Sequence, residues 1–414
     1  MVFATFLTPL FILKYNDDIK NGDLTEMTYK NLKALSNFLP AYIFNVESFM
    51  EKSRNVKKLL GEVDICFSVK SNPWLIEYAD VFSKVEVCSP GELEICINKG
   101  IAPERIIMGG ICQTAENFQK AVEYGVKRYS IESERQLDLL RNACFNAAFE
   151  AAVLLRLSNK NQFGMSKEQA REIFSKQAEL TNIIIDGIHF YPGTGRMKKI
   201  TLTKDFDYLI SMLDELDSFK IRCLEIGSGV GVDLFGESDN HDLIAIVSEY
   251  LKILKNKYEV TYEGGRIFAA ECGIYIAEIK EIRKNDDRIY YIVNGGKHQF
   301  SYYGQMFSSG KPTVTVISKT PFDKTMTVNI VGALCNEGDV LVKEIELPEA
   351  REGDFLVFHK VGAYSVTEGI SLFLSRDLPS VIIERECEFY LQREKTEIHK
   401  LNMRRGKERR IGGI

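Results

Sequence analysis

The sequence predicts a (β/α)8 barrel joined to a second, mostly β domain, and two observations carry that prediction. From about residue 40 to 275, eight short β-rich runs alternate with amphipathic helical stretches. From 276 onward the long helical stretches stop and strands follow one another directly. On pattern alone, a doubly wound sheet or two parallel sheets would also accommodate the first half.

The eight runs are VDICFSV (63–69), KVEVC (84–88), RIIM (105–108), KRYSIE (127–132), AAVLLRL (151–157), IIIDGIHF (183–190), RCLEI (222–226) and RIFAAE (266–271). Between them lie helix-like segments such as AENFQKAVEYG, ERQLDLLRNACFNAAF, KDFDYLISMLDELDSF and HDLIAIVSEYLKILKNK. In the second half, IYYIVNGG, TVTVISK, TMTVNIVGALC, DFLVFHKVGAY and SVIIEREC read as strands. The expected division is a barrel over 37–275, a β domain from 1–36 with 276–397, and a basic tail or linker over 398–414. The opening MVFATFLTPLFILK lacks a basic n-region and is shorter than a bilayer span, so it is expected to form a strand or two on the body.

With 414 residues, 45% of them hydrophobic and 27% charged, the chain has the composition of a soluble protein of two or three domains. A net charge of −5 gives no reason to expect nucleic acid or an acidic membrane as partner. The nine cysteines form no C-x-x-C pair, which argues against a disulfide framework or zinc site and for a reducing cytoplasm. No metal site is expected.

In a barrel the chemistry gathers where strands end. FSVKSNP places Lys70 at the first strand's mouth, where a lysine is costly unless paired or used. PGTG (192–195) and EIGSGVGV (225–232) end two further strands and let backbone approach an anion closely. A phosphorylated aldehyde held as an imine needs this combination of lysine and glycine loops. The second half adds Cys335 in LCNEGDVL and Tyr364 in KVGAYS, where a phenol could reach a phosphate.

Together these segments resemble the family of ornithine, diaminopimelate and arginine decarboxylases that use pyridoxal 5′-phosphate (PLP). That family's fold pairs an alanine-racemase-like barrel with a β domain. The likeness runs from about residue 38 to 390, through FSVKSNP, VEVCSPGELEICINKGIAPERIIMGG, QFGMS, GIHFYPGTG, EIGSGVGV, LCNEGD and GDFLVFHKVGAY in the family's order. It implies a Schiff base between PLP and Lys70, with Glu86 as an acidic neighbour and Glu271 as the carboxylate facing the pyridine nitrogen. It further implies that Thr194, Gly227, Gly229 and Tyr364 hold the phosphate. Cys335 matches the residue that protonates Cα after CO2 leaves, and in the family it comes from the partner subunit. A homodimer with shared active sites is therefore expected.

Three departures narrow this reading. Tyr191 stands where the family stacks a histidine on the cofactor ring, with His189 at a separate family position; tyrosine also occurs in members acting on conjugated amino acids. ECGI replaces the family's E-P-G-R, so Ile274 stands for a phosphate-contacting arginine and Arg196 becomes a candidate substitute. Asn336, followed by Glu337, occupies the usual acidic grip on a distal amine, and the arginine motif of diaminopimelate enzymes is absent from NGGKHQFSYYGQ. The expected substrate is thus an amino acid joined to a larger scaffold, as in siderophore, carrier-protein or peptide-antibiotic pathways. The rival readings are an amino-acid racemase of the same fold and a non-catalytic relative that binds a partner.

Overall fold

The structure is a computed structural model that describes residues 13–14, 27–236, 238–302, 310–320 and 324–403. The chain divides into two compact units, one made of Phe49–Ala270 and the other of Met1–Ser48 with Glu271–Ile414.

The first unit is a closed barrel of eight parallel strands: β1 (Asp64–Ser68), β2 (Lys84–Val87), β3 (Ile106–Met108), β4 (Arg128–Ile131), β5 (Ala151–Leu157), β6 (Ile183–Phe190), β7 (Cys223–Gly227) and β8 (Glu259–Gly264). Each strand is almost wholly buried, as a layer enclosed by helices requires. The surrounding helices start on hydroxyl caps: Ser89, Thr114, Ser133 and Ser166 each accept a hydrogen bond from a first-turn backbone N–H. Such caps fix where each helix begins, and so how far each βα loop can reach across the barrel mouth.

One strand differs from the sequence expectation. RIFAAE does not close the barrel; Arg266–Ala269 is a short helix that continues into a 3-10 turn over Ala270–Cys272. The eighth strand is β8, which pairs in parallel with both β7 and β1. The helix before it, His241–Lys255, ends four residues earlier, and the run EVTYEG then supplies four consecutive buried positions.

The second unit is a ten-stranded sheet built from both ends of the described chain. Ala41–Asn45 sits at its centre, antiparallel to Gly273–Ile276 and parallel to Ser380–Glu384. Residues 37–48 and 271–275, expected in the barrel, therefore belong to this second unit, where Ala41–Phe44 and Gly273–Ile276 make their ladder hydrogen bonds. Ile43, Ile274, Ile276, Phe355, Val357 and Ile382 pack together as its core. Leu13–Lys14 pairs with Glu388–Phe389 as an edge strand, while the rest of the opening apolar run lies outside the described residues. His399–Asn402 is a short helix, and 404–414 also lie outside them.

Candidate active site

Lys70 stands in a 3-10 turn over Val69–Ser71, directly after β1. The turn aims its amine at two buried carboxylates. Nζ lies 2.7 Å from Glu86 Oε2 and 3.6 Å from Glu263 Oε1. Glu86 comes from β2 and Glu263 from the end of β8, which is β1's neighbour once the barrel closes. Burying two anions is tolerable only with cations and donors around them. Those groups are present: Ser68 Oγ donates to Glu263 Oε1 at 2.6 Å, and His189 Nε2 lies 3.2 Å from Glu263 Oε2. The other ring nitrogen of His189 is 2.6 Å from Ser130 Oγ, so the imidazole is held at both ends.

These contacts set the protonation of the cluster. Burial pushes Glu263 upward, but Lys70 and then His189 more than offset it and hold this carboxyl well below the usual range. For His189, burial works against charge, while the Glu263 hydrogen bond and the Glu225 charge outweigh it and raise its pKa. Glu225, at the heart of β7, is fully buried and is pushed up to about 7, first by burial. The site thus separates a firmly ionised carboxylate from a neighbouring one that titrates near neutrality.

The loops after β6 and β7 form the opposite wall. The Tyr191 ring lies so close to Gly227 that a Cβ there would sit 2.6 Å from Cδ2. Its hydroxyl shares a 2.6 Å hydrogen bond with Thr194 Oγ1. Gly229 has φ +66°, and a Cβ on it would fall 1.7 Å from the Gly193 carbonyl oxygen. Backbone hydrogen bonds link the two loops: Arg196 N donates to Gly229 O (2.8 Å) and Gly231 N to Arg196 O (3.2 Å). The Arg196 side chain donates to Asp205 (2.8 Å) and the Pro192 carbonyl (2.6 Å). It braces the loop, and the suggestion that it replaces a phosphate-binding arginine is set aside.

The largest correction concerns Glu271 and Ile274. Glu271 is exposed on the 3-10 turn that leaves the barrel unit, and Ile274 lies in the core of the β unit. The place beside Lys70 belongs to Glu263. Glu263-Gly264-Gly265-Arg266 also carries the E-x-G-R spacing that ECGI lacks, with Arg266 at its last position. That spacing was visible in the sequence; taking RIFAAE (266–271) as the eighth strand put Arg266 at a strand start and left Glu263 unassigned.

Cys335, Asn336, Glu337 and Tyr364 belong to the β unit. The first three are exposed at the tip of a tight loop. Buried Asp339 anchors that loop by accepting from Leu334 N and Lys297 N, both at 2.8 Å. Asn336 Oδ1 accepts from Gly338 N at 2.8 Å, so its side chain shapes the turn. Tyr364 has φ +67°, a conformation that costs a non-glycine residue about 1 kcal/mol and concentrates at functional positions. Its carbonyl accepts from Thr367 N (2.8 Å) and Glu368 N (3.1 Å), which holds the backbone there.

Such a barrel, with a lysine amine between buried carboxylates and a glycine cradle opposite, defines an enzyme that anchors a phosphorylated aldehyde on a lysine. The residues fit PLP: a nucleophilic amine, a buried ionised carboxylate, an aromatic ring and two glycines where a side chain would fill the cradle.

Residues 46–270 match the family described as "Pyridoxal-dependent decarboxylase, pyridoxal binding domain". Diaminopimelate decarboxylase of Aquifex aeolicus is 24% identical over 348 residues, spanning 78% of this chain and 82% of that protein. The L-glutamyl-(BtrI acyl-carrier protein) decarboxylase of Niallia circulans is 23% identical over 419 residues, spanning 94% and 92%. Among solved structures, diaminopimelate decarboxylase from Helicobacter pylori complexed with L-lysine superposes with a TM-score of 0.80 at 20% identity, covering 90% of this chain and 98% of that one. The chain belongs to the pyridoxal-dependent decarboxylase family: it is a PLP-dependent amino-acid decarboxylase, and PLP is its cofactor. Among the described residues no cysteine forms a disulfide, and no described helix is long and apolar enough to cross a membrane.

Proposed function

We propose that the protein removes the α-carboxylate of an amino acid joined to a larger scaffold, in the cytoplasm, as a homodimer whose two copies complete each other's sites. The observation that carries the substrate class is the loop at Cys335. Asn336 offers no charge to a distal ammonium and spends its side-chain oxygen on the turn. A free diamino acid loses its grip there, whereas a conjugated one does not need it. The carrier-protein decarboxylase among the relatives supports the same reading.

In this scheme Lys70 anchors the cofactor and moves protons at the substrate's Cα. Glu263 would keep the cofactor's pyridine nitrogen protonated and Tyr191 would hold its ring. Thr194, Gly227, Gly229, Arg266 and Tyr364 would hold the phosphate. When bound, PLP supplies an electron sink for the bond to the departing carboxylate. Cys335, supplied by the second copy, returns a proton to Cα. Tyr191 suits stacking better than the acid–base role a racemase would ask of it. Its hydroxyl is engaged by Thr194, and burial raises its pKa above the ordinary phenol value.

Two experiments test this reading. Release of CO2 from free diaminopimelate, ornithine, lysine and arginine is compared with release from a glutamyl group loaded on an acyl-carrier protein and from amide-linked amino acids. The conjugates should turn over at least about tenfold faster, and efficient turnover of a free diamino acid would sink the substrate class. Mixing inactive Lys70→Ala with inactive Cys335→Ala subunits should restore part of the activity. Verified heterodimers that stay inactive would remove the shared site.

A further inference from the structure

Beside Lys70 lies a polar side chain to which the reaction scheme gives no part. Cys88 follows β2, and its Sγ is 3.3 Å from Lys70 Nζ and 3.2 Å from Glu86 Oε1. With the 2.7 Å contact between Lys70 and Glu86, the three side chains close a ring. The thiol cannot drift from it. Its backbone N donates to Glu92 Oε2 at 2.7 Å, and Glu92 N in turn bonds the Ser89 cap of helix Pro90–Asn98. On the other side Gly110 packs so tightly that a Cβ there would meet the Cys88 carbonyl oxygen at 2.2 Å.

Burial, and then the Glu86 charge, push the Cys88 thiol well above its ordinary pKa. It is therefore a protonated neutral group, donating S–H to Glu86 while its sulfur accepts from the lysine nitrogen. Such a thiol is a poor nucleophile and a poor redox sensor. What it can do is apportion the charge of Glu86. A donor on Oε1 draws electron density away from Oε2, the oxygen that faces Lys70.

We propose that Cys88 is a positioning residue for Lys70: by binding the far oxygen of Glu86, its thiol limits how tightly that carboxylate holds a proton on the lysine nitrogen. Without the thiol the lysine loses one weak N–H···S contact, but the charged Glu86 oxygen at 2.7 Å grips the N–H more strongly and outweighs that loss, so the nitrogen gives up its proton at higher pH. Lys70 needs an unprotonated nitrogen to capture the cofactor and to act as a base, so the ring sets the pH at which the site is ready.

The test uses the PLP-loaded protein, titrated with pH by its visible absorption, with the pH profile of PLP capture by the apoprotein as second readout. Cys88→Val places a methyl group where the sulfur stood, adds a second one, and removes the donor. Its midpoint should rise by about half a pH unit, the share of one weak neutral hydrogen bond felt at the nitrogen. Cys88→Ala should move the same way. Cys88→Ser, whose hydroxyl can donate in the same place, should titrate within about 0.2 unit of the parent. Valine and alanine variants with the parent midpoint in both readouts would overturn the proposal, as would a serine variant shifted as far as valine. If the alanine variant fails to fold, the valine–serine pair decides.

Discussion

Gly229→Ala puts the glycine cradle to its sharpest test, because two effects act there and can be separated. The first is conformational: Gly229 sits at φ +66°, where alanine pays about 1 kcal/mol. The second is steric. The new Cβ would lie 1.7 Å from the Gly193 carbonyl oxygen, and reaching an ordinary C···O contact of roughly 3.3 Å moves that carbonyl by about 1.6 Å. Gly193 lies between Tyr191 and Thr194, so the wall of the cofactor site moves with it. Two backbone hydrogen bonds join the loops, each worth about 1 kcal/mol. Losing about 2 kcal/mol of cofactor binding raises the PLP Kd roughly 30-fold. Gly100→Ala is the matched control, with φ +67° and no atom within 4 Å of its added Cβ. The assay is titration of apoprotein with PLP by absorbance, beside the thermal midpoint of each apoprotein. Both variants should lose a few degrees, and only Gly229→Ala should lose affinity. A Gly229→Ala protein that binds PLP within about twofold of the parent would show that these loops do not cradle the cofactor.

Three further outcomes are expected. Glu263→Gln keeps the shape but removes the ionised partner of Lys70, so decarboxylation should fall by about two orders of magnitude, whereas exposed Glu271→Gln should stay within about twofold; equal losses would refute the exchange of roles. Glu225, pushed up to about 7, has a folded pKa above its unfolded value. Its contribution to stability is therefore full below about pH 4.3 and lost as pH rises through 7. Glu225→Gln, uncharged at every pH, should gain on the parent by up to about 3 kcal/mol between pH 5 and pH 8 in urea unfolding, and an unchanged difference would refute the burial argument. Asp339→Asn should weaken the anchor at Leu334 N and Lys297 N and slow turnover, while PLP binding by the barrel stays as it was; lost PLP binding would contradict that division of labour.

Seven of the eight barrel strands were legible because each coincides, to within a residue at either end, with a compact β-rich run. AAVLLRL and IIIDGIHF match β5 and β6 residue for residue. The eighth was lost because NKYEVTYEGG follows a long amphipathic helix with hardly a break, and RIFAAE, with Ile267 and Phe268 side by side, was taken as the strand instead. That single misreading carried Glu263 and Arg266 out of the site and put Glu271 and Ile274 in their place. Lys70, Glu86, Tyr191 and the glycine loops were legible as strand endings. Their bracing was not: Ser68 and Glu263 are 195 residues apart, and His189 and Glu263 are 74 apart. Only barrel closure makes such pairs neighbours, and no local pattern records it. The domain edge was misread for a related reason, since Ala41–Asn45 makes its hydrogen bonds more than 200 residues downstream.

The sheet's central strand has a consequence for biogenesis. Ala41–Asn45 leaves the ribosome before either partner: Gly273–Ile276 comes about 230 residues later and Ser380–Glu384 later still. At roughly 5–20 residues per second, some 10–45 s pass before the first of these partners exists. During that interval Phe49–Ala270 can complete its own barrel, while a strand that is fully buried in the finished sheet waits with both edges bare. A nascent-chain chaperone holding that strand, or a neighbouring polysome chain pairing with it, would decide how much of this enzyme a cell recovers.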